Sequence, residues 1–325
     1  PAEPLVLSQF NRGASNPTYL ITAGTQRWVL RKKPPGTLLP SAHQVDREYR
    51  VMSALGGIGF PVPRMRALCE DASVIGTAFY VMDFLEGRIF RNARLPGMQP
   101  AERAAIYDDL NATLARLHQV DYAAIGLADY GRPGNYFERQ IGRWTKQYQA
   151  SVTGPNDAMD RLIDWLPAHI PASGRDESMV SVVHGDYRLD NLIFHADEPR
   201  VLAVLDWELS TIGHPIADFS YHCMSWHIPV GVFRGIAGLD FAALGIPLEA
   251  DYIRRWCERS GRATPQALAA DWNFYMAYNL FRIAAIVQGI AKRVEAGTAA
   301  SEQARATGAG AKPLAELGWQ FAQRG

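Results

Sequence analysis

Near Gly87 the apolar pattern of the chain changes period, and that change limits the folds open to it. Before it, TYLITAG (18–24), WVLRK (28–32) and AFYVMDFL (78–85) are rich in β-branched and aromatic residues, a bias that belongs to strands. TYLITAG and WVLRK stand close enough to form a hairpin turning at Ala23-Gly24-Thr25-Gln26. Between WVLRK and AFYVMDFL, AHQVDREYRVMSALGG places Val45, Tyr49, Met52 and Leu55 at helical spacing and stops at Gly56-Gly57. PVP (61–63) then forces an extended return.

After Gly87 the period is that of helices. AERAAIYDDLNATLARLHQV (101–120) repeats Ile106, Leu110, Leu114 and Leu117 along one stripe. YFERQIGRWTKQYQAS (136–151), DAMDRLIDWLPAHI (157–170), DYIRRWCERSG (251–261) and the long stretch from Gln266 to Gly297 read the same way. The order predicts an α+β chain of two lobes: a small β-rich lobe with one helix over residues 1–86, and a larger, mainly helical lobe over 87–325. At 325 residues the chain is long for one compact domain and sufficient for two lobes around a cleft. GTAASEQARATGAGAKP (297–313) has the composition of a mobile linker, ahead of an amphipathic tail, LAELGWQFAQ.

Lys plus Arg and Asp plus Glu both number 33, so no global charge draws the chain to nucleic acid or an anionic membrane. Cys69, Cys223 and Cys257 are far apart and form no CxxC pair. That pattern argues against a disulfide framework or a zinc ribbon and fits a reducing compartment. The start, PAEPLVLSQFNRG, lacks a basic region followed by a long apolar stretch. No apolar run approaches the roughly 20 residues that span a bilayer. A cytoplasmic protein with no nucleic-acid or membrane partner is expected. Oligomeric state is not legible.

The helical half is interrupted at VVHGDYRLDNLIF (182–194), where polar residues and a glycine stand between two apolar runs. His184-Gly185-Asp186 followed by Asn191 fits H-x-D-x-x-x-x-N, the spacing of a kinase catalytic loop. In that chemistry a fixed carboxylate accepts the proton of a substrate hydroxyl, which assigns Asp186 as base. Asn191, entering a strand, offers an oxygen to a hard cation such as Mg2+. LIF, the turn HADEP and VLAVLDW then read as a hairpin ending on Asp206, where a second magnesium ligand belongs. Glu208 adds a further carboxylate nearby. Two carboxylates abutting apolar strands would be costly if buried without a partner.

HGDYRLDN, LDWE and GHPIADFS (213–220) resemble the aminoglycoside phosphotransferase and choline kinase family, which has a protein-kinase-like fold. RGASNPTYLI, WVLRKKPPG, AHQVDREYRVMSAL and YVMDFLEG are similar to the subgroup that also occurs fused to acyl-CoA dehydrogenases. The 325 residues leave no stretch for a dehydrogenase.

The resemblance implies a small-molecule kinase using ATP (or GTP) and Mg2+, with a nucleotide and a small hydroxylated acceptor as partners. It places Arg31 at the nucleotide phosphates, Glu48 as its partner, and Tyr80 to Leu85, with Val81 and Asp83, as the hinge whose backbone reads adenine. It makes Asp218 a buried acid bracing the catalytic loop and His184 structural. The family's glycine-rich loop is reduced to one glycine in Asn11-Arg12-Gly13-Ala14-Ser15-Asn16-Pro17. Ser15 and Asn16 are the candidates there for phosphate contact. Trp226, Tyr275, Tyr278 and Arg282 are candidates for the acceptor pocket, although ordinary helix packing accounts for such aromatics equally well. The apolar, aromatic character of WNFYMAYNLFRIAAIVQG (272–289) favours a hydrophobic or anionic acceptor such as a hydroxyacyl compound. The alternatives are an aminoglycoside 3'-type phosphotransferase, a nucleotide-binding pseudokinase scaffold, and a metal-dependent hydrolase using His184, Asp186, His214 and Asp218. The histidines at 214, 222 and 227 have no regular metal-binding spacing.

Overall fold

The computed structural model describes residues 3–10, 16–34, 44–298 and 301–324. By its internal contacts the chain divides into two compact units. One comprises Pro1–Arg91, Asp121–Tyr130 and His184–Thr211; the other comprises Asn92–Val120, Gly131–Val183 and Ile212–Gly325.

The first unit is built on an antiparallel sheet of β1 (Val6–Gln9), β2 (Thr18–Ala23), β3 (Gln26–Lys32), β4 (Met65–Cys69) and β5 (Phe79–Asp83), in the spatial order β1-β2-β3-β5-β4. The hairpin expected from TYLITAG and WVLRK forms, with Ala23 opposite Gln26. In β3 the adjacent residues Val29 and Leu30 are both buried. The middle of this strand has no solvent face, so alternation alone could not say where Arg31 points. Helix α1 (Val45–Gly57) buries Val45, Val51, Met52 and Leu55, and Glu48 lies among them at 1% exposure. A short helix, α2 (Ala72–Ile75), joins β4 to β5 and is capped by the Asp71 carboxylate, which accepts from Ser73 N–H.

The same unit contains the hairpin of β7 (Leu192–Phe194) and β8 (Val201–Val204), with Leu192 opposite Val204. Two glycines hold it in place. A Cβ on Gly87 would stand 2.2 Å from Phe194 O, where Arg88 and Phe194 exchange two backbone hydrogen bonds. Gly185 has φ +80°, and a Cβ there would meet Leu209 O at 2.6 Å. Any side chain at either position forces the backbone apart.

The second unit is helical: α3 (Pro100–Gln119), α4 (Tyr136–Gln149), α5 (Asp157–Ala168), α6 (Ala172–Arg175), α7 (Pro215–Cys223), α8 (Phe241–Leu244), α9 (Glu249–Ser260), α10 (Pro265–Glu295), α11 (Glu302–Gly308) and α12 (Ala311–Ala322). Two short strands, β6 (Ser181–Val183) and β9 (Thr211–Gly213), pair beside them. The stripe Ile106, Leu110, Leu114 and Leu117 on α3 is fully buried. Thr264 caps α10 and Pro265 opens it, both ordinary helix-start chemistry. By length and composition α10 could cross a membrane, but 78% of its apolar window is buried inside the protein.

The segment 297–313, expected as a linker, instead carries α11 and the start of α12. The Ser301 hydroxyl accepts from Ala304 N–H and caps α11. The small residues are packing surfaces: a Cβ on Gly308 would sit 3.0 Å from Ala291 Cα of α10, and one on Gly318 would sit 3.1 Å from Leu280 Cβ. Small side chains here permit close helix approach, which composition cannot distinguish from flexibility.

Candidate active site

Arg31 gathers three carboxylates. Its Nε lies 3.0 Å from Glu48 Oε2, and one Nη lies 2.9 Å from Asp206 Oδ1 and 3.6 Å from Glu208 Oε2. Glu48 is held from its other sides as well. Asn16 Nδ2 donates to Glu48 Oε1 at 2.8 Å, and the Tyr80 hydroxyl donates to Oε2 at 3.0 Å. The sequence supplies this by placing Glu48 on the buried stripe of α1 and pairing Arg31 with Tyr80 across β3 and β5. Burial works against the Arg31 charge, yet Glu48, Tyr80, Asp206 and Glu208 hold its pKa above the usual arginine range. Burial pushes the Glu48 carboxyl up, while Arg31, Tyr80 and Asn16 pull it back. A pair this buried is stable only with such additional hydrogen bonds.

Asp206 leaves β8 in the left-handed conformation, φ +66°, ψ +57°. Aspartate tolerates that region better than most residues, and such strain persists where the surroundings enforce it. Next to it Trp207 is buried, its Nε1–H donating to Val204 O at 2.9 Å and its ring 4.7 Å from that of His184.

The loop from His184 to Asn191 is tied to Asp206 through one backbone residue. Leu205 N–H donates to Asn191 O at 2.8 Å. The Leu205 carbonyl accepts from His184 Nε2 at 2.8 Å. Asp186 N–H donates to His184 Nδ1 at 3.1 Å, so the ring is the Nε2–H tautomer with both nitrogens spent on backbone. A ring so engaged cannot ligate a metal, which removes His184 from the hydrolase reading. Among the described residues no three His, Cys, Asp or Glu side chains form a metal cluster.

Two side chains hold Asp186 Oδ2. Arg188 Nε donates to its Oδ2 at 2.8 Å, and Asn191 Nδ2 donates to the same Oδ2 at 3.0 Å and to Asp186 O at 2.9 Å. Arg188 also forks onto both oxygens of Asp190, at 3.1 and 2.9 Å. Burial raises the Asp190 pKa, with Arg188 opposing and Asp186 adding to the rise. Asn191 thus commits its amide nitrogen and retains Oδ1 as its acceptor end.

Sequence reasoning left Arg188 and Asp190 without roles, and it assigned Asn16 to the phosphates and Tyr80 to the hinge rather than to Glu48. Arg188 stands two residues from Asp186 and Asp190 one residue from Asn191, a local signal. Tyr80 reaches Glu48 across 32 residues, and only the fold brings them together. The other nucleotide candidates are placed as follows. Val81 lies inside β5, opposite Leu30 and Ala67. Asp83 ends β5, with its carboxylate taken by Arg66 at 2.5 and 2.9 Å. Ser15 lies outside the described residues.

In the second unit Asp218 is buried at 2% exposure, its Oδ2 3.4 Å from His118 Nε2. Trp256 Nε1 donates to His118 Nδ1 at 3.2 Å, which puts the ring proton on Nε2, towards Asp218. Burial lowers the His118 pKa, against the pull of Asp218. Tyr275, Tyr278 and Arg282 share α10; both tyrosine rings lie against Phe137, and the Tyr275 hydroxyl bonds Ser173 Oγ at 2.6 Å. Trp226 packs on Tyr107 and Tyr252 instead, its Nε1–H donating to Pro247 O.

A five-stranded sheet with a buried Arg–Glu pair, followed by helices and a polar loop–hairpin bearing Asp186, Asn191 and Asp206, defines a kinase-like protein. The model of the phosphotransferase enzyme family matches residues 6–270, and the chain belongs to that family. Acyl-CoA dehydrogenase family member 10 of Mus musculus is 48% identical over 323 residues, a match covering 99% of this chain and 30% of that protein. The chain therefore spans less than a third of that relative. A crystal structure from Ralstonia eutropha JMP134, provisionally named as an aminoglycoside phosphotransferase, is 58% identical with a TM-score of 0.89, covering 99% of this chain and 94% of that one. Choline kinase of Cryptosporidium parvum Iowa II shares the fold at 12% identity and a TM-score of 0.65, covering 98% and 88% of the two chains.

Proposed function

We propose that the chain transfers the γ-phosphoryl group of ATP, or of GTP, to a hydroxyl of a small acceptor. The observation that carries this reading is the fixing of the Asp186 carboxylate by Arg188 and Asn191. A carboxylate held in one orientation is the acceptor for the proton of an incoming hydroxyl. Asn191 Oδ1 and the Asp206 carboxylate fit a magnesium ion, which is commonly held by one or two protein oxygens together with substrate phosphates. Bound Mg-nucleotide supplies the phosphoryl group and draws off charge as that group departs. Arg31 balances the phosphate charge, and Glu48 fixes the guanidinium for that purpose.

In this reading residues 1–86 form the nucleotide-binding lobe and 87–325 the catalytic and acceptor lobe. Tyr80 to Leu85 offer backbone to adenine. Asn16 spends its side-chain amide on Glu48, so its phosphate contact, like that of Ser15, is assigned to the backbone. Within the second unit His118 orients the Asp218 carboxylate.

The acceptor is a hydroxyacyl compound or a similar hydrophobic or anionic alcohol. The aromatic face of α10 and the acyl-CoA dehydrogenase name of the mouse relative support that choice. The name of the Ralstonia structure favours a second reading, an aminoglycoside phosphotransferase. ADP release should be followed with hydroxyacyl compounds, other hydroxylated metabolites and aminoglycosides as acceptors. Release driven by hydroxyacyl acceptors is expected. Release confined to aminoglycosides overturns the acceptor assignment, and Mg-dependent nucleotide binding without any transfer identifies a pseudokinase.

A further inference from the structure

In the first unit, Glu48 and Asp206 are joined by two routes that differ in chemistry. The first is ionic and short: both carboxylates meet Arg31, at 3.0 and 2.9 Å. The second starts from Arg47, the residue before Glu48 on α1. Arg47 Nη2 donates to Tyr130 O at 2.7 Å and reaches Ser210 O at 3.5 Å. Its guanidinium lies 4.1 Å from the centre of the Tyr130 ring. The Tyr130 hydroxyl lies 2.8 Å from Ser210 Oγ and 3.2 Å from Arg47 O. Ser210 closes the turn that begins at Asp206, its N–H and its hydroxyl both donating to Trp207 O, at 3.0 and 2.5 Å. A serine hydroxyl has one proton, so the 2.8 Å bond is donated by Tyr130. Tyr130 and Ser210 are both buried.

A cation or phosphate arriving at Asp206 or Arg31 draws on the charges of the first route. The second route presents no carboxylate to a cation, and its one guanidinium is occupied by carbonyls and a ring face. Arg50, one turn further along α1, donates to Gly126 O at 2.7 Å, so the segment bearing Tyr130 is held on the helix at two points.

We propose that Arg47, Tyr130 and Ser210 are positioning residues: they fasten α1 to the turn after Asp206, so that Glu48 and Asp206 keep their spacing when Arg31 and Asp206 engage a ligand. That this ligand is a Mg-nucleotide rests on the function proposed above; the fastening itself does not. Supports of this kind matter because displacements of about 1 Å at a reacting group cost large factors in rate.

The test is amide hydrogen exchange of the full chain without nucleotide, read by mass spectrometry, together with transfer kinetics. In Tyr130→Phe, which keeps the ring under Arg47, residues 45–57 and 205–211 are expected to exchange about tenfold faster, as for loss of one hydrogen bond, while β2 keeps its rate. Ser210→Ala is expected to match it, and the double variant to be no worse than either single one. Arg47→Ala is expected to loosen both segments and Arg47→Lys to restore part of the protection. In transfer, Tyr130→Phe is expected to raise the KM for Mg-ATP about tenfold with the acceptor KM within about twofold of wild type. Protection unchanged, lost in only one segment, or lost equally in β2 overturns the fastening. An unchanged KM for Mg-ATP, or an equal rise in both KM values, overturns the positioning role. Exchange needs no nucleotide, so a wild-type chain that transfers nothing overturns the function proposed above while exchange still decides the fastening.

Discussion

Arg31 and Arg282 are both largely buried guanidinium groups, one in each unit, and their surroundings differ in kind. Arg31 has Glu48, Asp206 and Glu208 within 3.6 Å, with Glu48 itself held by Asn16 and Tyr80. Arg282 lies over the faces of Trp144 and Tyr221 and shares the first ring with Arg143. In the first unit one guanidinium faces three carboxylates, so its charge is more than compensated. In the second unit the guanidinium groups lie against aromatic faces, which attract cations.

The sharpest way to break this comparison is Glu48→Ala. It leaves Arg31 without its most buried partner and strands the donors of Asn16 and Tyr80, a loss of about 3–5 kcal/mol. Urea unfolding measures it, and a loss under about 1 kcal/mol would show that Arg31 is not held by this pair.

A second effect belongs to the other unit. His214 donates from Nε2 to Ser173 O at 2.9 Å, and burial pushes its pKa down to about 4. The unfolded histidine titrates near 6.5. Between those values the unfolded chain binds a proton that the folded chain refuses. Stability is therefore undiminished above pH 6.5 and falls as pH drops, by roughly 3 kcal/mol near pH 4. His214→Gln should remove that portion of the difference between unfolding at pH 7 and at pH 4.5. An identical acid slope in the variant would show that the ring is not held neutral.

Tyr80→Phe is the smallest probe. It deletes one donor to Glu48 and should cost about 1.5–3 kcal/mol, as expected for a bond to a charged acceptor. Thermal or urea midpoints would register it.

Much of the fold was legible because the period change at Gly87 and the stripe on α3 reflect burial directly. The polar loop 184–191 and the hairpin ending at Asp206 were legible because their spacing is local. Arg31 was not, in the strict sense: Val29 and Leu30 are buried on opposite sides of β3, so the pattern names no outward face. Glu48 was obscured by Asp46, Arg47 and Arg50 around it, although it sits on the buried stripe of α1. The segment 297–313 misled because alanine and glycine serve both flexible linkers and tight helix contacts. Trp226 was grouped with Tyr278 and Arg282 through the family resemblance; its packing on Tyr107 and Tyr252, 119 and 26 residues away in sequence, is set by the fold.

The most direct measurement is phosphoryl transfer by the wild-type chain and by Asp186→Asn, followed as acceptor-dependent ADP release with Mg2+ and ATP. The carboxamide preserves size and most hydrogen bonds but cannot take a proton. A fall of about 10²- to 10⁴-fold in kcat, with nucleotide affinity little changed, is the predicted result. Full transfer activity in the asparagine variant would contradict the account.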